Sequence, residues 1–549
     1  MSKIISQIFL LLLVFAFLDD VNYTIFATPP SGKLKFEIDF SDSVHSDPIT
    51  GRVFVILAKN KNREPRLQVG GWRRSAQLFG KDVEELRVGE CIAIDETILG
   101  FPLKNISDLT PGKYYIQGLL NIYTQFQRAD GHVIWAHMDQ WEGQKFNRSP
   151  GNLYSTIDSV YIDPDSDQTF HIRLNQVIPS IEEKKDSELV TRIRIPSKLL
   201  SDFWGQTIYL GAIVLLPKDY DSHPDVRYPV LYSQGHFSGN LFSNIKPGSE
   251  FYKNWMSEAT PRMIIVHLQH PCPFYDDSYA VNSENCGPYG DAIMTELIPH
   301  LEKQFRIIQK SYARVLYGGS TGGWIALALQ IFNPDFFGGT WSIAPDPVDF
   351  RYFQLINIYE DENAYFTKVE WSEPERSLMR DTHGQVFMTV RQFCQLEAVL
   401  GSKGRSAQQL DAFQAVFGPV NQDGYPKPLW DKESGEIDRE VALYYKENYD
   451  LRYYLEQNWP WLGSKLVGKL HFTCGDMDNY YLNEALYELE NFLENTTDPY
   501  YAGSFTWGRP RKGHGWTPWG RDNLEFYNII ADYITKIAPE EADTNQWKY

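Results

Sequence analysis

The 549-residue chain is too long for one compact core, so two or more domains are expected. Its 43% hydrophobic and 15% aromatic content belongs to a globular rather than a disordered protein. A formal charge of -19 argues against nucleic acid and anionic membrane surfaces as partners, because no basic excess is available to neutralise phosphates.

At the N-terminus Lys3 precedes an apolar run, Ile8 to Leu18, too short to span a bilayer comfortably. This pattern predicts a signal peptide over residues 1–27, cleaved after Ala27, with an uncleaved anchor as the other reading. No second long apolar stretch follows, so a secreted, soluble mature protein without stable membrane insertion is expected. The five cysteines show no metal-ligand spacing; in an exported chain Cys272 and Cys286 are the expected pair. Asn105, Asn147 and Asn495 head glycosylation triplets, which a chain of this length also collects by chance.

Residues 28–174 read as short alternating strands: Lys35 to Phe40, Arg52 to Leu57, Lys113 to Ile122, Ser159 to Ile162 and Gln168 to Leu174. The pattern predicts an all-β sandwich of immunoglobulin-like size, with Gly131 to Gly151 as a long loop reaching toward the second domain. The polar stretch 175–188 is expected to be a linker. From Leu189 strands alternate with helices, which predicts a mostly parallel sheet. Its strands are Thr191–Ile195, Ile208–Leu216, Tyr228–Ser233, Met263–Leu268, Val315–Tyr317, Gly339–Ile343, Lys469–Thr473 and Gly503–Trp507. Helices are expected at Tyr289–Gln304, Trp324–Phe332, Leu482–Glu494 and Asp522–Ile537. The aromatic run 351–464 breaks this alternation and is read as an insertion capping the site, against the alternative of an unrelated third domain.

After the fifth strand comes Gly318-Gly319-Ser320-Thr321-Gly322, a Gly-x-Ser-x-Gly between an apolar strand and a helix. That context fits a nucleophile held in a strained turn, with the flanking glycines letting strand and helix pass closely. Eight strands with Ser320 after the fifth is the arrangement of an α/β-hydrolase sheet. A serine needs a base and an orienting carboxylate. Three histidines follow it: His383 in the insertion, His471 in a buried strand, and His514 between the last strand and last helix, where the base belongs. For the acid, Asp478 follows a strand and a Gly-x-x-Asp turn, with Asp476 and Asp346 as competitors. The oxyanion hole is expected from the N–H of Thr321 and an amide of the 233–237 loop, with His236 favoured and Phe237 next. Metal binding by His236, His267 and His270 matches no zinc spacing, so neither metal nor cofactor is expected.

From Leu189 to Ile537 the chain resembles the esterase D-like branch of the α/β-hydrolases, which also holds enterochelin esterases, feruloyl esterases, S-formylglutathione hydrolases and mycolyltransferases. The resemblance rests on Tyr228 to Phe237, Gly287-Pro288-Tyr289-Gly290-Asp291 leading into Glu296-Leu297-Ile298-Pro299, the elbow, and the acid and base turns. It is most similar to a secreted group carrying the elbow as Gly-Gly-Ser-Thr-Gly-Gly-Trp. A β-sandwich ahead of the catalytic domain is similar to enterochelin esterases. The resemblance implies hydrolysis of a carboxylic ester, with Ser320, Asp478 and His514 at the matching positions. The long insertion departs from the small esterases and leaves the substrate open, a small-molecule or carbohydrate and polyphenol ester being expected. Two rivals stand beside it: a serine peptidase, and a non-catalytic binding protein on a hydrolase scaffold.

Overall fold

The computed structural model describes residues 33–548 apart from 71–74, 244, 521 and 522. The signal-peptide reading over residues 1–27 lies outside them.

In the N-terminal region a three-stranded sheet faces a seven-stranded one. Alternation explains how they meet. In Lys35–Phe40 every second residue, Phe36, Ile38 and Phe40, is buried against Val53, Val55, Leu57 and Leu120 of the large sheet. The strand Ile49–Ala58 is apolar almost throughout because both its faces are covered. Val53, Val55 and Leu57 enter the core between the sheets, while Phe54 and Ile56 join the core of the second domain.

Three sequence expectations need adjusting here. Gln77–Leu86 is a ten-residue strand that Gly80 and a run of charges disguised. Gly80 is needed where it stands, since a Cβ there would overlap the Val399 carbonyl. The 175–188 linker begins inside the sheet, because Gln176–Val177 pairs with Leu153–Tyr154 as an exposed edge that carries no apolar signal. Within the expected 131–151 loop, Val133–Ala136 forms a hairpin with Thr124–Gln127.

The main sheet of the second domain has eight strands: β1 Val190–Ser197, β2 Ile208–Leu215, β3 Val230–Gln234, β4 Ile264–Gln269, β5 Arg314–Gly319, β6 Gly339–Ile343, β7 Leu470–Gly475 and β8 Ser504–Gly508. Their order in the sheet is β1-β2-β4-β3-β5-β6-β7-β8. The two pairings at the β1 edge are antiparallel and the remaining five are parallel. The order doubles back between β2 and β5, so the loops after β3 and β5 emerge side by side at the carboxyl ends of the strands, where open α/β sheets bind ligands.

Between β6 and β7 the insertion forms a hairpin, Ser377–Arg380 with Val386–Thr389, and four helices, Val390–Leu400, Gln409–Phe417, Arg439–Asn448 and Leu451–Leu466. It shares one core with the sheet rather than standing apart. It also grips the β domain. Arg52 donates to the carbonyls of Ala398 and Val399, the open end of the first of these helices, and pairs at 2.6 Å with Asp82. Arg405, from the insertion, closes the set on the same carboxylate at 2.9 Å.

Candidate active site

The turn after β5 shows why the two glycines flank Ser320. A Cβ on Gly318 would overlap the Gly322 carbonyl, and one on Gly322 would overlap the Gln234 carbonyl at the end of β3. Ser320 itself has φ 59° and ψ −125°, a conformation that L residues rarely adopt. The strain is held by backbone bonds: Ser320 N donates to Ile343 O at 2.9 Å, and Gly323 N, Trp324 N and Asp346 N donate to Ser320 O at 2.8, 3.1 and 3.2 Å. The helix Thr321–Phe332 is almost wholly buried, which anchors the turn from behind.

His514 arrives on the loop after β8. Its Nδ1 lies 2.7 Å from Asp478 Oδ2, and since a carboxylate only accepts, the proton sits on Nδ1 and leaves Nε2 as the lone-pair nitrogen. Asp478 is fully buried, and its Oδ1 accepts from Tyr480 N and Leu482 N at 2.8 and 3.3 Å. Asn479 ties the acid turn to the base loop, accepting from His514 N at 3.0 Å. Burial disfavours the imidazolium of His514, but the Asp478 charge and hydrogen bond outweigh it, with Asp346 adding to them, and raise its pKa. Asp476 is a turn residue whose Oδ1 accepts from Lys512 N at 2.9 Å. His471 stacks on Trp341 at 4.6 Å with its pKa pushed down to about 4 by burial, and His383 is exposed in the 381–385 turn.

Asp346 occupies a different place from Asp478. Its Oδ2 accepts from Tyr279 Oη at 2.6 Å, Thr321 Oγ1 at 2.8 Å and Gln409 Nε2 at 3.3 Å, while Oδ1 accepts from Ser320 Oγ at 3.4 Å. Among the described residues no hydrogen bond joins Ser320 to His514. Burial pushes the Asp346 carboxyl above its usual range. Tyr279 and Gln409 carried no sequence signal of this role, because neither type is diagnostic and both reach the elbow from distant parts of the chain, Tyr279 from a loop and Gln409 from the start of the helix Gln409–Phe417.

The backbone N–H groups of Thr321, His236 and Phe237 make no hydrogen bond among the described residues. An unpaired amide at a helix start beside a serine, with two more on the loop after β3, is the material of an oxyanion hole. The His236 side chain is engaged: Nδ1 lies 3.0 Å from Asp276 Oδ1 and 3.4 Å from Asp277 Oδ2. Burial opposes its charge, yet the two carboxylates raise its pKa to about 11. In the structure these three groups stand together as an ion-pair cluster. His267 and His270 are driven to about 4 by burial, and Ser278 N donates to His270 Nδ1 at 3.1 Å.

Ser320, Asp346, His236 and His514 share a cavity of about 800 Å³. Its wall is drawn from three sources: the hydrolase sheet, the insertion through Leu378, Phe393 and Gln409, and the β domain through 63–70 and 143–148. Insertion residues thus line the cavity; of the β-domain wall, 143–148 belongs to the loop read from the sequence as reaching toward the second domain, while 63–70 carried no sequence signal. Two further expectations meet the structure here. The Cys272 and Cys286 sulfurs lie 3.9 Å apart in a buried cluster, and both thiols are free. Asn147 spends its amide on the Arg66 carbonyl at 2.9 Å, and Ser149 of its triplet is buried, an arrangement that hides the acceptor.

Residues 209–397 match the family model described as "Putative esterase". No curated protein sequence matches the chain. Among solved structures it is similar to a ferulic acid esterase, at 16% identity and TM-score 0.37 over 63% of this chain and 98% of that one. It is also similar to the fluorophosphonate-binding serine hydrolase F of Staphylococcus aureus, at 13% identity and TM-score 0.33 over 63% and 98%. A third is an S-formylglutathione hydrolase from Agrobacterium tumefaciens, at 13% identity and TM-score 0.31 over 63% and 92%.

Proposed function

We propose, from the premise that the chain belongs to the "Putative esterase" family through residues 209–397, that it is a serine hydrolase cleaving a carboxylic ester through Ser320, His514 and Asp478. The observation that carries the reading is a strained serine sharing one cavity with a histidine whose Nδ1 is held by a buried carboxylate. In the reaction Ser320 Oγ exchanges its Asp346 acceptor for His514 Nε2, which takes the proton as Oγ attacks the ester carbonyl. The tetrahedral oxyanion is met by the amides of Thr321 and of His236 or Phe237. Asp478 stabilises the imidazolium, which then protonates the leaving alcohol, and water releases the acyl group by the same route. Export, on the pattern of residues 1–27, is part of this proposal, as is an ester substrate that fills a cavity built from both domains.

The test is labelling of the purified protein with a fluorophosphonate probe, followed by peptide mapping. Modification at Ser320 that disappears in His514→Ala is the expected result. A folded protein that takes no label moves the weight to a binding role for the cavity, and faster turnover of a matched amide than of its ester favours a peptidase.

A further inference from the structure

We propose that the substrate carries an oxyanionic group and that three basic side chains of the β domain, Arg63, Lys145 and Arg148, receive it; this rests on the reading of Ser320 as an ester-cleaving nucleophile. All three line the cavity that holds Ser320 and His514. All three are exposed, and among the described residues none of their side chains makes a hydrogen bond, an ion pair or a ring contact. The chain has 71 acidic and 52 basic residues, so a basic side chain can readily find a partner. Nearby cations have done so: Arg52 pairs with Asp82, Arg66 with Glu64 and Arg128 with Asp130. Three unmatched cations on one wall of the site therefore stand out from their surroundings.

This wall is built rather than loose. Arg66 Nη1 donates to the Asn147 carbonyl at 2.5 Å and Asn147 Nδ2 returns a bond to the Arg66 carbonyl at 2.9 Å, so segments 63–70 and 143–148 are cross-tied. Gln117 Oε1 accepts from Arg66 N at 3.0 Å and fixes the first segment to the large sheet. The carboxylates that line the cavity are already engaged. Asp276 faces His236, and Asp346 accepts from Tyr279, Thr321 and Gln409. The unmatched charge is positive, and a concave low-dielectric wall concentrates such a field on whatever enters. The oxyanion belongs to the part of the substrate that reaches toward the β domain, away from the reacting carbonyl.

The experiment compares charged and neutral members of two ester pairs. On the acyl side these are the 4-methylumbelliferyl monoester of adipic acid and its methyl-capped form. On the alcohol side they are 7-acetoxycoumarin-4-acetate and 4-methylumbelliferyl acetate. Three exposed cations at about a factor of two each predict a preference on the order of tenfold in kcat/KM for the charged member of one pair. That preference falls with added salt and drops to about one in Arg63→Gln/Lys145→Gln/Arg148→Gln. Turnover of both pairs with equal kcat/KM overturns the proposal while leaving the hydrolase reading intact. If the wild type cleaves none of the four, the hydrolase reading fails. Calorimetric binding of the same esters to Ser320→Ala then decides the basic wall alone, equal affinity for charged and neutral members counting against it.

Discussion

Ser320 Oγ donates to Asp346 Oδ1 at 3.4 Å, and not to His514, whose own carboxylate partner is Asp478. Two buried carboxylates therefore each hold a different one of the two groups. Asp346 belongs to the elbow and holds Thr321, Tyr279 and Gln409 around it; Asp478 belongs to the base.

Asp478→Asn removes the acceptor that fixes the His514 tautomer, so kcat is expected to fall by about 10³ to 10⁴ while the protein stays folded. Asp346→Ala instead leaves buried donors from Tyr279 and Thr321 without an acceptor. It is expected to lower unfolding stability by about 2–4 kcal/mol. Steady-state kinetics and urea unfolding of both variants check this; equal loss of kcat in the two would show that Asp346 shares the base-side role.

The acidic limb of kcat/KM reports protonation of His514, the form that cannot accept a proton. Burial opposes that form, but Asp478 and then Asp346 outweigh it, so the folded pKa lies above the ordinary value of 6.5. Activity is expected to rise with pH through a midpoint above 6.5. In Asp478→Asn the residual activity should have its midpoint shifted downward, and by more than in Asp346→Asn. A pH–rate profile of all three forms measures it.

His236 has a folded pKa of about 11 against 6.5 unfolded. A raised pKa contributes stability that is complete below 6.5 and is lost as pH climbs toward 11. His236→Gln should therefore lower the melting temperature more at pH 6 than at pH 10, in paired thermal scans. A constant deficit across that window would show that the ion pair with Asp276 and Asp277 contributes nothing.

At the domain junction Asp82 is the shared acceptor of Arg52 and Arg405. Burial raises its pKa, but the two guanidiniums overcome this and hold it below 3.8, so its stabilisation is present above 3.8 and is lost as pH falls through the folded value. Asp82→Asn leaves two nearly buried guanidiniums short of their counter-charge. A loss of about 1–3 kcal/mol is expected at pH 7, narrowing at low pH, in denaturant titrations.

What was legible in the chain was local. The apolar runs Ile208–Leu216 and Met263–Leu268 announce buried strands because a strand covered on both faces has no polar positions to spare, and they coincide with β2 and β4. The elbow is readable because its cause lies within five residues, Gly318 meeting Gly322 across the turn. Gln77–Leu86 was illegible for the opposite reason, since Gly80 answers to Val399, more than three hundred positions away.

By itself the sequence determined the strained serine, the strand and helix that present it, and a short set of histidines and aspartates able to serve it, all matters of spacing and backbone sterics. Only the tertiary structure decided which of them meet. The pairing of Asp478 with His514, the turn of Ser320 toward Asp346, the capture of His236 by Asp276 and Asp277, and the basic wall from the β domain join residues far apart in the chain. Such contacts depend on how the sheets, insertion and sandwich bury one another, and burial of that kind leaves no mark on local composition.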